Sequence, residues 1–398
     1  MRTLFLPRTV IVLGLVSFLN DTASEMITPL LPVFLTVTLG AGPAVVGLVE
    51  GVAEATASLL KLVSGRLADK GWNHKGLVLG GYSVSNLARP LIGLAFGWGW
   101  VLLLRFLDRV GKGVRTSPRD ALIAESIEQG RRGMAFGFHR ALDNAGAMLG
   151  PLCAWALLQS KISIGHVFLW SLVPGVLVVC LLCFGLDATP SSSQSKKLPP
   201  LRWSVLDRRL RGLILATGGL ALASAPEVFL VLWATNQGLK IAWVPLLWAA
   251  ASAVKALVAA PAGSLSDRFG RFPILVAGWT VRILLLLSLA WSCRVVHPVL
   301  VWLLFLAYGA SLASTEGAER ALVGDFASRE ERATAFGLYH MVVGLAVLPG
   351  ALLFGTIWQV LGPAAAFAMN AVFSAGAVML LYFQYRKRKT GHLLCKVR

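Results

Sequence analysis

Twelve stretches of this chain are long and apolar enough to be membrane-spanning helices. A spanning helix needs about 20 mostly apolar residues. Such runs lie at approximately 10–38, 43–65, 76–96, 99–118, 133–158, 165–186, 211–235, 243–262, 272–292, 297–317, 333–357 and 364–384. Of the 398 residues, 56% are hydrophobic and only 14% charged, whereas a soluble domain of this length needs far more charge on its surface. The sequence therefore predicts an all-α polytopic membrane protein with twelve transmembrane helices.

The connections between the runs alternate in character. Gly40 to Ala44, Phe96 to Gly99 and Trp358 to Pro363 carry no basic residue, and the others on that side hold only Lys161, Lys240 and Arg294. The opposite side holds Arg66, Lys70, Lys75, Arg131, Arg132, Lys196, Lys197, Arg208, Arg209, Arg268, Arg271, Arg329, Arg332 and the tail Arg386-Lys387-Arg388-Lys389. The positive-inside rule places both termini in the cytoplasm. The formal charge of +18 is accounted for by these loops and their attraction to anionic lipid, so no nucleic-acid partner is expected. The one long connection, Asp187 to Leu210, is Ser/Pro-rich and then basic, a cytoplasmic linker between two halves. The expected domains are a six-helix bundle at 1–186, the linker at 187–210, a second bundle at 211–385 and a basic cytoplasmic tail at 386–398.

Asn20-Asp21-Thr22-Ala23-Ser24-Glu25-Met26 interrupts the first run. With Arg2 and Arg8 upstream, it resembles the cleavage region of a signal peptide. Removing it would leave five helices against six, so the segment is assigned to a retained first helix. Two mid-helix acids cost roughly 5–7 kcal/mol, and some fifteen apolar residues at about −0.3 to −0.6 kcal/mol each return a similar amount. Asp21 and Glu25 are therefore expected to face a cavity rather than lipid.

The two halves repeat each other. Gly65-Arg-Leu-Ala-Asp69-Lys70-Gly71 follows the second span, and Gly263-Ser-Leu-Ser-Asp267-Arg268-Phe-Gly270 follows the eighth, at an offset of 198. Arg132 to Gly137 (RGMAFG) matches Arg332 to Gly337 (RATAFG) at an offset of 200. Such a repeat implies two bundles with a substrate path between them.

These motifs resemble the major facilitator superfamily over nearly the whole chain. The loop signature Gly-x-x-x-Asp-(Arg/Lys)-x-Gly of that family occurs twice, with Gly65, Asp69 and Lys70 in the first copy and Gly263, Asp267 and Arg268 in the second. The resemblance implies a gating role for them. Gly146-Ala-Met-Leu-Gly150-Pro151 resembles the family's antiporter signature, a Gly-x-x-x-Gly-Pro that lets the fifth helix pack closely and bend; the usual small residues after the proline are replaced by Leu152-Cys153-Ala154-Trp155. The fourth span resembles a third signature, in which Arg105 matches an arginine linked to proton coupling; Asp108 and Arg109 stand where that signature has Gln and Gly.

Spacing sorts the charges inside the spans. Asp21 and Glu25 share a helix face, as do Glu50 and Glu54. Arg105, Asp108, Arg109, Lys112 and Arg115 form a charged stripe, and Arg140 and Asp143 are three apart. The expected proton-coupling residues are Asp21, Glu25, Glu54, Arg105 and Asp143; the expected substrate-binding residues are Asp21, Glu25, Arg105, Arg140, Glu227 and Lys255. Arg89 and Arg282 are read as structural ion-pair members. Lys61, Lys112, Arg115, Arg119, Glu319 and Arg320 are read as snorkelling or gating residues near cytoplasmic ends. Cys153, Cys180, Cys183, Cys293 and Cys395 give no disulfide framework, metal cluster or redox motif, so no cofactor is expected.

The resulting expectation is a monomeric, proton-coupled exporter of a small organic molecule in a bacterial inner membrane, working by alternating access; its partners are the substrate, protons and the bilayer. Two alternatives stay open: a transporter of an organic anion, such as a phosphorylated metabolite or a metal chelate, bound by the basic residues of the fourth and fifth helices; and a transporter-like sensor or assembly factor without turnover. No nucleophile–base arrangement or phosphate loop suggests an enzyme.

Overall fold

The computed structural model describes residues 6–69, 72–128, 132–186, 203, 208–223, 226–293, 297–326 and 332–395, which hold helices and turns and no strand. Helix α1 covers Arg8–Ile27 and, after a turn at 28–30, continues through Leu31–Val33 and a π-helical turn at Phe34–Thr38. Pro29 has no N–H for the helical ladder, and the break lies around it. There follow α2 (Pro43–Asp69), α3 (His74–Leu91), α4 (Trp98–Glu125) and α5 (Arg132–Gln159). Helix α6 is split into Ile164–Trp170 and Leu172–Gly185, and α7 into Arg208–Leu222 and Glu227–Asn236. Helices α8 (Val244–Phe269), α9 (Arg271–Ser292), α10 (Pro298–Phe326), α11 (Arg332–Leu361) and α12 (Pro363–Cys395) complete the chain.

Ten of these helices are long and apolar enough to cross a membrane by composition. Helices α3 and α4 fall short because they are the most polar, and they pack on each other. The side chains that disqualify α4 as an isolated span, Arg105, Asp108, Arg109 and Arg115, are buried in that packing. In lipid an apolar surface gains nothing by leaving one apolar surroundings for another, so association rests on close packing and polar contacts.

Contacts group the chain into two compact units. One holds Met1–Gly42, Val52–Leu198 and Leu239–Ser252; the other holds Pro43–Gly51, Pro199–Gly238 and Ala253–Arg398. Within the first, α1 packs on α5 and α6, and α3 on α4 and α6. Within the second, α7 packs on α11 and α12, and α9 on α10 and α12. The second pattern is the first shifted by six helices, so the sequence repeat is a repeat of helix pairing. Each unit has an apolar cluster built from the same helices, around Leu13, Val78 and Leu182 in one and Ile214, Leu275 and Leu381 in the other.

Glycines set the closest seams. A Cβ on Gly146 would lie 2.3 Å from the Phe18 carbonyl oxygen, and one on Gly150 would lie 2.5 Å from that of Thr22. Gly350 stands in the same relation to Leu222, at 2.5 Å, which repeats the α1–α5 seam between α7 and α11. Gly146, Gly150 and Pro151 thus lie in a helix whose backbone touches its neighbour. Gly270, the last residue of the second loop motif, has φ of 93° at the turn into α9, a backbone region that glycine enters without strain.

These contacts predict that Gly150→Leu lowers the unfolding temperature and the yield of folded protein. The overpacking cost is about 1–3 kcal/mol or more. Gly137→Ala, where a Cβ meets nothing within 4 Å, should leave both unchanged. Thermal unfolding in detergent with size-exclusion monitoring checks the contrast.

Candidate functional site

The first unit carries a buried charge cluster centred on Asp108 of α4, which is 0% exposed. Arg89 of α3 donates through Nε to its Oδ1 at 2.8 Å. Arg105 donates to its Oδ2 at 3.4 Å, and Arg109 Nε lies 3.9 Å from the same oxygen. Ser85 Oγ donates to the Asp108 backbone carbonyl at 2.9 Å and accepts from Arg115, whose guanidinium lies 4.4 Å over the Tyr82 ring. A carboxylate this deep is tolerated only where cations and donors compensate it.

The cluster reaches α1 through Asn20. Arg89 Nη1 donates to the Asn20 side-chain oxygen at 3.0 Å and to its backbone oxygen at 3.2 Å. Asn20 Nδ2 in turn donates to Asp21 at 3.0 Å. A continuous line of polar contacts therefore runs from α4 through α3 to the first predicted coupling acid.

Around Asp21 the expected acids gather. Asp143 of α5 comes within hydrogen-bonding reach of Asp21, and Ser17, one helical turn before Asp21, donates to Asp143 at 2.6 Å. Arg140 pairs with Asp143 at 3.3 Å while its own side chain is 64% exposed. Glu54 of α2 sits among Lys112, Arg109, Lys61 and Arg105, so this acid of α2 meets the basic stripe of α4. Glu25, one turn after Asp21 on α1, accepts a 2.9 Å hydrogen bond from Trp248 Nε1 at the start of α8.

In the second unit Glu227 opens the second piece of α7. An acid is favoured at that position by the free N–H groups of the helix start. Lys255 of α8 holds it at 2.9 Å, and both side chains are a little over one quarter exposed. Helix α1 breaks shortly after Glu25, and α7 breaks just before Glu227.

The loop-motif residues are only partly visible. Gly65 lies against Ser117 of α4, while Lys70 and the side chain of Asp69 lie outside the described residues. A Cβ on Gly263 would meet nothing. Asp267 is exposed and lies 3.8 Å from Arg271, and Arg268 stacks over Phe269. Arg271 also pairs with Asp325 and donates to the Ala321 carbonyl of α10. It is the residue that joins the second motif to α10, a role the sequence reading did not assign to it.

Three more residues of the site escaped that reading. Ser17 and Asn20 flank Asp21 on α1 but carry no charge, so a search for intramembrane ions passes over them. Trp248 is likewise neutral, and only the placement of α8 beside Glu25 marks it out. Arg89 was read as a structural ion-pair member, and its partner is Asp108.

A family model described as Major Facilitator Superfamily matches residues 13–318 and 244–394. The chain belongs to this superfamily. An MFS-type transporter of Methanocaldococcus jannaschii is 34% identical over 385 residues, 95% of each chain. The multidrug resistance protein MdtG of Escherichia fergusonii is 28% identical over 303 residues, covering 71% of this chain and 72% of that protein. Among solved structures, a bacterial homologue of the human lysosomal transporter Spinster has a TM-score of 0.78 at 17% identity, covering 95% of this chain and 96% of that one. The superfamily makes this chain a multi-pass membrane transporter rather than an enzyme, and its helical repeat is the fold of that superfamily.

Removing the central carboxylate should be costly. Asp108→Asn leaves buried arginines without their anion, and an unfolding penalty of about 3–5 kcal/mol is expected. Adding Arg89→Gln to it should recover part of that loss, a coupling that a double-mutant cycle of unfolding free energies measures.

Proposed function

We propose that this transporter exports a small organic molecule in exchange for protons, by alternating access, from a plasma membrane with both termini on the cytoplasmic side. The observation that carries the reading is the approach of Asp21 on α1 to Asp143 on α5, with Ser17 donating to Asp143. Two carboxyl groups hydrogen-bond to each other only when one of them holds a proton, so the pair is a place to bind and release one. Glu54, Arg105 and Lys112 set the surrounding charge, and Asn20 ties the pair to the buried cluster on Asp108. The likeness to MdtG supports a drug-like or metabolite substrate, and the Gly146–Pro151 signature supports antiport.

Substrate contact is assigned to Arg140, Glu25, Glu227 and Lys255, whose side chains remain partly or largely exposed. The anion-transport reading uses Arg105, Arg109, Lys112 and Arg140 as a binding surface; Arg105 and Arg109 are buried beside Asp108, while Arg140 is largely exposed. No second reading has a comparable observation behind it. The protein is proposed to work as a monomer.

The reading is tested in proteoliposomes loaded with a pH-sensitive dye and supplied with candidate substrates. Wild-type protein should move protons with substrate. Asp21→Asn and Asp143→Asn should each lower coupled flux at least tenfold, while Glu128→Gln, on the connection after α4, should leave it unchanged. Flux in both aspartate variants equal to wild type would sink the assignment of the coupling pair.

A further inference from the structure

Helices α5 and α6 run antiparallel from the short turn at 160–163 and leave a groove between them, floored by α1. The groove has a volume of about 420 Å³ and lies wholly within the first unit. Thr22 and Met26 of α1 form the floor, α5 lines one wall from Cys153 to Ser160, and α6 lines the other from Trp170 to Leu177. On each wall the lining residues recur at steps of three and four, so each wall is a single helix face.

The groove is long and shallowly polar. Helix α6 starts at Ile164, and Leu177 lies roughly 20 Å along it from the turn. The hydrocarbon of a bilayer is about 30 Å thick, so one leaflet is about 15 Å deep. Drawn out over that depth, about 420 Å³ makes a slot, narrow for a ring system and suited to one hydrocarbon chain.

Its chemistry points the same way. Thr22 Oγ1 donates to the Phe18 carbonyl at 2.8 Å, and Ser160 Oγ donates to the Ala156 carbonyl at 3.1 Å. Both hydroxyls are therefore spent on their own helices. The rest of the lining is carbon, the Cys153 thiol and the Trp170 indole, with no acid or base. A charged group in the slot would lose its water and gain no partner. On α6, Val173, Val176, Leu177 and Phe184 are about half exposed or more, and no residue from Val167 to Gly185 is charged. A helix face so apolar and so exposed meets lipid rather than water.

The mouth of the groove is different. Lys161 follows Ser160 in the turn and is exposed. It is one of only three basic residues, with Lys240 and Arg294, on the connections of that side. Its φ is 62°, a backbone region that glycine enters freely and other residues seldom do, so the chain keeps a cation where glycine would fit better.

We propose that this groove holds one acyl chain of an anionic glycerophospholipid, with the lipid phosphate against the Lys161 ammonium. The acyl chain fills the space between α5 and α6 that side chains leave open, and the headgroup stays at the turn. The bound lipid is a structural partner of the first unit, and the site stands independently of the proton-coupling assignment.

The test is native mass spectrometry of the purified full-length chain in a mild detergent, titrated with phosphatidylglycerol and separately with phosphatidylcholine. Wild-type protein should take up its first phosphatidylglycerol more tightly than those that follow, and about fivefold more tightly than phosphatidylcholine, the effect of one lysine on an anionic lipid. Ala156→Phe fills the slot from α5, and Val173→Phe fills it from α6. Each should weaken the first binding of both lipids about tenfold, the loss expected when a few methylenes are kept out of an apolar site, while unfolding at the wild-type temperature without lipid. Lys161→Gln should lose the preference for phosphatidylglycerol and bind phosphatidylcholine as before. Leu284→Phe, at an exposed position of α9, should behave as wild type. An unweakened first lipid in either folded slot variant would overturn the site. Loss of substrate-coupled proton flux in a slot variant that retains its first lipid would also overturn it, giving the groove to substrate. A phosphatidylglycerol preference that survives Lys161→Gln would overturn the headgroup assignment.

Discussion

Much of the first unit depends on one carboxylate, that of Asp108. Helix α4 carries too many charges to be stable against lipid, and α3 brings a buried arginine of its own. Asp108 accepts from Arg89 and lies beside Arg105 and Arg109, which turns several separate insertion penalties into one internally compensated cluster. Because α3 also packs on α6, and Asn20 of α1 holds Arg89, the cluster fixes where α1 stands. The acids on α1 inherit their position from it.

Much of this was legible in the sequence, for identifiable reasons. Span number and the two-bundle repeat follow from apolar run length and from motifs at near-constant offsets, and neither depends on side-chain detail. The charged stripe of α4 and the paired spacing of Asp21 with Glu25 also read directly, since helical periodicity fixes which residues share a face. What did not read was partnership across helices. Asn20 and Ser17 are neutral and look like ordinary helix residues until Arg89 and Asp143 are placed beside them. Arg105 carries the family's coupling arginine by position, yet in three dimensions it is a ligand of Asp108 and nearly inaccessible. Glycine roles were legible only as motifs; the carbonyls they admit belong to helices far away in the chain.

The two halves are alike in pairing and unlike in charge. The first half gathers Asp21, Glu54, Asp108 and Asp143 within its helices, while the second places Glu227 and Glu319 in separate local contacts. Pseudo-symmetry therefore supplies the scaffold, and the buried charge is what distinguishes one half from the other.

The glycine seam between α1 and α5 has a mechanical consequence. Gly146 and Gly150 bring the two backbones into contact at Phe18 and Thr22, within about two turns after Asp143. Helices joined that tightly translate and rotate as one rod, so the distance between the two carboxyl groups stays nearly constant through any larger rearrangement. Under the proposed coupling role, a proton on this pair would be exchanged by opening and closing its path to water, the pair itself staying in place.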